Sequence, residues 1–249
     1  MTGGMTFEQA VATLTGPGAP FEVVKRRVGG HELTVWKDLP RSMRHAFDAA
    51  RLHGDKTFLV YEDERWTFAE LMARVDEIAD ALVERYGIRP GDRVAIAMRN
   101  YPEWIASFAA ILSVGGIAVC MNAWWTEGEM AYGLEDSGAK LVIADIERVR
   151  TALPSLDRLG VRAVVVRHAD ELPSGVDRLE DVLRAGAAMP EVEVGPEDDA
   201  TILYTSGTTG FPKGAVSTHA AILSASRAFA CRALIGAMDR LPLADHTQL

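Results

Sequence analysis

The sequence predicts an α/β protein with a mostly parallel sheet and helices on both faces. Short apolar runs recur along the chain: RVAIAM, IAVCM, LVIAD, VRAVVV and ATILY. Segments with helical spacing and capping residues separate them. Pro and Gly mark the turns between the two kinds of segment.

Each element has its own justification. The first forty or so residues are weakly patterned and punctuated by Gly16-Pro17-Gly18 and Gly29-Gly30. SMRHAFDAARLHG reads as a short amphipathic helix ending near Gly54. TFLVYEDERWTF reads as a hairpin turning at Asp63-Glu64. Thr67 and Glu70 form a capping box, and Leu71, Val75, Ile78 and Leu82 repeat at helical spacing up to Gly87. Pro102 to Val114 is the next helix and Ile117 to Met121 a strand. Thr126 caps a helix to Ser137, with Glu129 at the third position. Then follow LVIAD (strand), IERVRTAL (helix), VRAVVV (strand), a helix near Leu179 to Ala188, and ATILY. VEVGPEDD, residues 192–199, is polar and suits a junction between subdomains.

The chain has 249 residues, a formal net charge of −9 and two cysteines, Cys120 and Cys231, far apart. The charge disfavours nucleic acid as a general partner, because phosphate backbones are bound by Lys and Arg. The cysteine spacing disfavours a disulfide framework or zinc site and suits a reducing cytoplasm. The start, MTGGMTFEQA, has no basic region ahead of an apolar core, so no signal peptide is expected. Trp104 to Thr126 is uncharged and long enough to cross a bilayer. Gly115-Gly116 divides it into a helix and a strand, so no transmembrane segment is expected there.

YTSGTTGFPKG, residues 204–214, follows the strand ATILY and precedes a helix beginning near Thr218. Ligands of parallel sheets sit beyond the carboxyl ends of the strands, where this loop lies. Gly207, Gly210 and Gly214 let the backbone approach a ligand. Thr205, Ser206, Thr208 and Thr209 offer hydroxyls to anionic oxygens or a hard cation. Lys213 adds a point charge suited to phosphate, and backbone N–H groups in a glycine-rich turn form an anion nest. The loop reads as one that wraps a polyphosphate. It is not a P-loop, because Pro212 stands at the second glycine position and Gly214 follows Lys213.

TSGTTGFPKG resembles the phosphate-binding signature of the acyl-adenylate-forming superfamily of acyl-CoA synthetases, luciferases and peptide-synthetase adenylation domains. RWTFAEL, GIRPGDRVAIAMRNYPEWIASFAAILSVGGIAV, NAWWTEGEMAYGLEDSGAKLVIAD and ATILYTSGTTG resemble its segments in the same order, from about Asp55 to Ser217. The wording is most similar to bacterial fatty-acyl-CoA ligases.

The resemblance implies ATP, Mg²⁺ and CoA as substrates or cofactors, with a small carboxylic acid as acyl donor. It implies that Ser206, Gly207, Thr208, Thr209 and Gly210 cradle ATP phosphates, with Lys213 supplying charge and Gly214 closing the motif. It suggests Thr205 for Mg²⁺, against a plain strand-end hydroxyl. It offers no catalytic residue within this chain. His219 reads as a polar residue opening a helix rather than a base, and Trp124 and Trp125 as packing residues. Relatives in such a family are about twice this length. The expectation is therefore the incomplete N-terminal portion of the large domain: residues 1–54 a leading segment, 55–195 a first α/β subdomain, 196–249 the start of a second, and a C-terminal domain absent. Such a portion is expected to be inactive alone and to self-associate through exposed apolar surface. The competing expectation is a non-catalytic remnant that binds an anion or nucleotide.

Overall fold

The computed structural model describes residues 5–28, 30–205 and 212–238. Contacts group the chain into two compact units, one of Arg41–His219, the other of the segment up to Pro40 with that from Ala220 onward. These divisions do not coincide with 54/55 and 195/196.

The smaller unit opens with α1 (Phe7–Thr15), which Thr6 and Gln9 cap reciprocally. A hairpin follows, β1 (Val23–Val28) antiparallel to β2 (His31–Trp36). The sequence signals this region weakly because its strand residues are mostly exposed.

In the larger unit, α2 (Met43–Ala50) leads to the hairpin β3 (Thr57–Tyr61) and β4 (Glu64–Thr67). Tyr61 pairs with Glu64, so the turn is Glu62-Asp63, one residue earlier than expected, with Glu62 at φ 50°. That register frees Glu64 to bind Arg167. α3 (Phe68–Asp80) starts at the expected Thr67–Glu70 capping box.

Then come β5 (Arg93–Ala97), α4 (Pro102–Ser113), β6 (Ile117–Cys120), α5 (Glu127–Ser137), β7 (Leu141–Asp145), α6 (Ile146–Leu159) and β8 (Arg162–Val166). The uncharged stretch from Trp104 is thus α4 and β6 of one core. β9 (Val176–Arg178) follows, and α7 (Leu179–Val182) begins where the helix to Ala188 is expected to begin but covers only its first four residues. α7 stops early because the following segment is tied back to α3: Arg184 binds Asp80, and the Gly186 N–H donates to Glu77.

β10 (Asp199–Thr205) pairs parallel to β6 and antiparallel to β11 (Lys213–Thr218). The sheet order is β11-β10-β6-β5-β7-β8-β9, parallel except at the β10–β11 pair. This confirms the mostly parallel sheet. The helix expected near Thr218 begins at His219, and a strand that the sequence did not announce, β11, stands between it and the glycine-rich loop. The run KGAVST is short and mostly small, and its strand character comes from pairing across the loop.

Both faces of the central strands are covered: Val94, Ala95, Ile96 and Ala97 in succession have no exposed surface. Ala95, Val119, Val142, Ala144 and Val165 pack against Met130 and Leu134 of α5 and Val149 and Leu156 of α6. α4 lies against β5 and β6 on the opposite side.

α8 (His219–Met238) is the one described helix long and apolar enough to cross a membrane, by length and composition alone. Its Cys231, Ile235 and Met238 pack with Ala10, Leu14 and Phe21 of the smaller unit.

Candidate functional site

The carboxyl ends of the parallel strands gather the chemistry-bearing side chains. Within β10, Leu203 pairs with Cys120, the last residue of β6, so Thr205 extends past that neighbour. There it faces Lys213, and its Oγ1 donates to the Lys213 carbonyl across a long 3.4 Å. The two ends of the glycine-rich loop are therefore held in register. Ser206, Gly207, Thr208, Thr209 and Gly210 lie outside the described residues. Lys213 is exposed and has no ion-pair partner among the described residues, so its charge is available to a ligand.

The neighbouring residues fix this turn. Tyr204 donates its hydroxyl to Asp136 at 2.7 Å, with the Gly133 carbonyl 3.3 Å away. Burial and that acidic partner push the Tyr204 phenol well above its usual range, so it serves as a donor. Trp125 meets the Tyr204 ring edge-on, centroids 5.3 Å apart. The packing requires Gly133, because a Cβ there would fall 2.6 Å from Trp125 and 2.8 Å from Met121. Gly214 sits in β11 opposite Tyr204, where a Cβ would come within 2.8 Å of Ile202. This glycine therefore has a packing reason of its own.

A second cluster surrounds the ends of β5, β6 and β7. Asp145 caps α6, accepting from Arg148 N–H, and also accepts from Arg99 N–H. The Arg148 guanidinium donates to the Ala123 carbonyl at 2.6 Å and to Glu147 at 2.6 Å. It lies 5.4 Å from the Trp124 ring centroid, and Arg99 lies 5.9 Å from it. The expectation that both tryptophans pack holds for Trp125 and fails for Trp124, which is 77% exposed. Asp145 and Glu147 match the two arginines in charge, so this corner presents chiefly an indole face. Local sequence offers no signal that would separate the two tryptophans.

The third group lies beyond β8. Arg167, at φ 53°, binds Glu64 through both oxygens at 2.6 and 2.9 Å and Glu103 at 2.7 Å. Its guanidinium lies 5.1 and 5.2 Å from the centroids of Tyr61 and Tyr101. All its charge is spent inside the protein, so this is a structural clamp.

No cluster of three or more His, Cys, Asp or Glu suited to a metal occurs among the described residues. Thr205 keeps its oxygen lone pairs, since its bond to Lys213 uses the hydroxyl proton. That fits a cation carried on substrate phosphates rather than caged by protein. A cavity of about 680 Å³ runs along one face of the β10–β11 hairpin past Asp198, Ile202, Tyr204 and Val216 to Pro90 and Gly115. It runs from the foot of the loop, at Tyr204 and Gly214, to the amino ends of the strands at Arg93, Ile117 and Asp199.

The model of the family described as AMP-binding enzyme matches residues 46–244, most of the chain. This protein belongs to the AMP-binding enzyme family. Among its relatives is a long-chain-fatty-acid–CoA ligase, FadD13 of Mycobacterium tuberculosis, 37% identical over 182 residues, 73% of this chain and 35% of that protein. Another is a 3-hydroxybenzoate–CoA/4-hydroxybenzoate–CoA ligase of Thauera aromatica, 32% identical over 70% of this chain and 34% of that protein. A crystal structure of the anthranilate CoA ligase AuaEII with anthranoyl-AMP is similar at TM-score 0.67 and 26% identity, over 73% of this chain and 35% of that one. This AMP-binding chain thus spans about a third of the length of the ligases it matches, corresponding to their N-terminal part.

Proposed function

We propose that the chain is the ATP-phosphate-binding part of an acyl-CoA ligase that joins a carboxylic acid, a fatty acid in this case, to CoA through an acyl-adenylate. The observation that carries this reading is the loop's setting: Thr205 and Lys213 face each other at the carboxyl edge of a mostly parallel sheet, and the lysine is exposed with no ion-pair partner among the described residues. The fatty-acid assignment leans on the 37% identity to a long-chain ligase, against 32% to an aryl ligase.

In this reading the acid's carboxylate oxygen attacks the α-phosphorus of ATP, and pyrophosphate leaves. Negative charge spreads over phosphoryl oxygens, so fixed donors and cations lower the barrier. Hydroxyls and N–H groups of residues 205–210 hold the β- and γ-phosphates, and Lys213 adds its charge. Thr205 would hold Mg²⁺ together with those phosphates, and the cation would neutralise the charge that develops there. Closing the adenylate chemistry requires groups outside these 249 residues, so the chain alone binds without turnover.

Hydrogen exchange with and without MgATP tests the proposal. ATP is expected to slow exchange across residues 205–214. Lys213→Ala should weaken ATP binding by about 1.5–3 kcal/mol, the usual range for a charged hydrogen bond, with the fold intact. Equal protection in both states, or unchanged affinity in the variant, would refute it.

A further inference from the structure

His219 follows β11 directly and is the first residue of α8. It is 0% exposed. Its backbone N–H donates to the Asp198 carbonyl at 3.1 Å, which closes the base of the β10–β11 hairpin. Its ring does something separate. Nδ1 accepts the Met43 N–H at 3.1 Å, the first amide of α2.

That amide is one of the donors a helix start leaves without an intrahelical partner. Ser42 precedes it but does not cap it, because its hydroxyl bonds His45 Nδ1 at 2.8 Å. His219 therefore supplies the cap from 176 residues away. α2 is in turn fixed to the body of the sheet. Arg44 donates to the Ser113 carbonyl at the end of α4, and to those of Pro190 and Val192.

The ring is held at a cost. Accepting at Nδ1 requires a lone pair there, so the neutral imidazole carries its proton on Nε2. Among the described residues Nε2 has no hydrogen-bond partner. A buried donor without a partner is unfavourable. Burial also favours the neutral ring, opposed by the nearby Asp198. An apolar side chain would fill the space without that orphan N–H, so packing alone does not account for an imidazole here. What the imidazole adds is the Nδ1 acceptor.

We propose that His219 is a positioning residue for the nucleotide loop: its ring ties the base of the β10–β11 hairpin to α2 and, through Arg44, to α4. The proposal rests on the reading of residues 205–214 as the ATP-phosphate loop. The hairpin stands at the edge of the sheet with β6 as its one parallel neighbour, so its base is the second place where it is held. Fixing the base fixes where Thr205 and Lys213 stand over the sheet.

Two variants separate positioning from packing. His219→Leu keeps the volume and removes the acceptor. His219→Asn places an amide oxygen close to where Nδ1 stood. In the ligand-free chain, His219→Leu should speed exchange of the Met43 amide and of the paired hairpin amides at least tenfold. Amides of β5 and β7 should stay within about twofold, and His219→Asn should restore the hairpin to within about threefold. MgATP affinity should follow the same order, about tenfold weaker in His219→Leu and recovered in His219→Asn. Equal loss in β5 and β7 would mean a general core defect and would overturn the proposal. So would hairpin amides unchanged in His219→Leu, failure of His219→Asn to restore them, or undiminished ATP affinity in a loosened hairpin. If the unchanged chain binds no MgATP, the nucleotide reading falls, and the exchange comparison still decides whether His219 fixes the hairpin.

Discussion

The two edges of the seven-stranded sheet are built to different standards. At one, β9 is three residues long, and its Asp177 is held by Tyr86 at 2.7 Å, Arg85 at 3.0 Å and Arg162 at 3.8 Å. Just beyond β8, Arg167 clamps the β3–β4 hairpin to the start of α4. A short, charged edge resists pairing with another strand. At the other edge, β11 runs from Lys213 to Thr218 with Lys213 as its single charge. Val216 is 55% exposed and the adjacent Leu203 49%. The glycine-rich loop thus hangs from the less finished edge.

Removing the clamp should give the largest effect. Arg167→Ala leaves the side chain of Glu103, 10% exposed, without its partner. Loss of one member of a largely buried ion pair costs several kcal/mol, and partial exposure of Arg167 lowers this to about 2–4 kcal/mol. Urea titration measures it, and a cost under about 1 kcal/mol would mean the clamp is ornamental.

Acid should separate the two ends next. Burial lowers the His219 pKa below the ordinary 6.5. A lowered folded-state value means the unfolded chain binds the proton more readily, so stability at the hairpin falls as pH drops below 6.5. The loss is at most about 1.4 kcal/mol per pH unit. At the opposite end, the Arg167 hydrogen bond lowers the Glu64 pKa. For Asp177, burial works upward, and the Tyr86 and Arg85 hydrogen bonds outweigh it. Those stabilities persist until pH falls below the ordinary 4.5 and 3.8. Hydrogen exchange at pH 5.5 should therefore show hairpin amides loosened while β8 amides are unchanged. Loosening at both ends together would erase the distinction.

The smallest effect on folding, and the plainest on behaviour, concerns the open edge. Val216→Lys should change unfolding free energy by no more than about 0.5 kcal/mol, as surface substitutions do. The unchanged chain should self-associate with rising concentration, and the lysine variant should do so less. Sedimentation of both proteins measures this, and a monodisperse monomer for the unchanged chain would show that β11 is not sticky.

The parallel core was legible because its signals are local. Continuous apolar runs mark strands buried on both faces, and Thr67–Glu70 and Thr126–Glu129 form their boxes within one turn. What sequence alone left hidden depends on distant partners. β11 is a strand because β10 lies across the loop from it. Trp124 is exposed while Trp125 is packed because only one of them finds Tyr204 and the space at Gly133. His219 caps a helix that begins 176 residues earlier. None of these leaves a trace in neighbouring residues.

The pairing of β10 with β6 also bears on the order of assembly. Thr201 lies beside Ala118, partners separated by about eighty residues of chain. Closing so long a loop is entropically slow, and contacts of this kind form late in folding. β5, β6, β7 and β8 are joined by short helical crossovers and can come together first. On a ribosome, residues 199–218 emerge only after those strands are free to pair. The β10–β11 hairpin is thus added last, onto a sheet already standing, and the interval before it docks is when β6 shows an open edge to other chains.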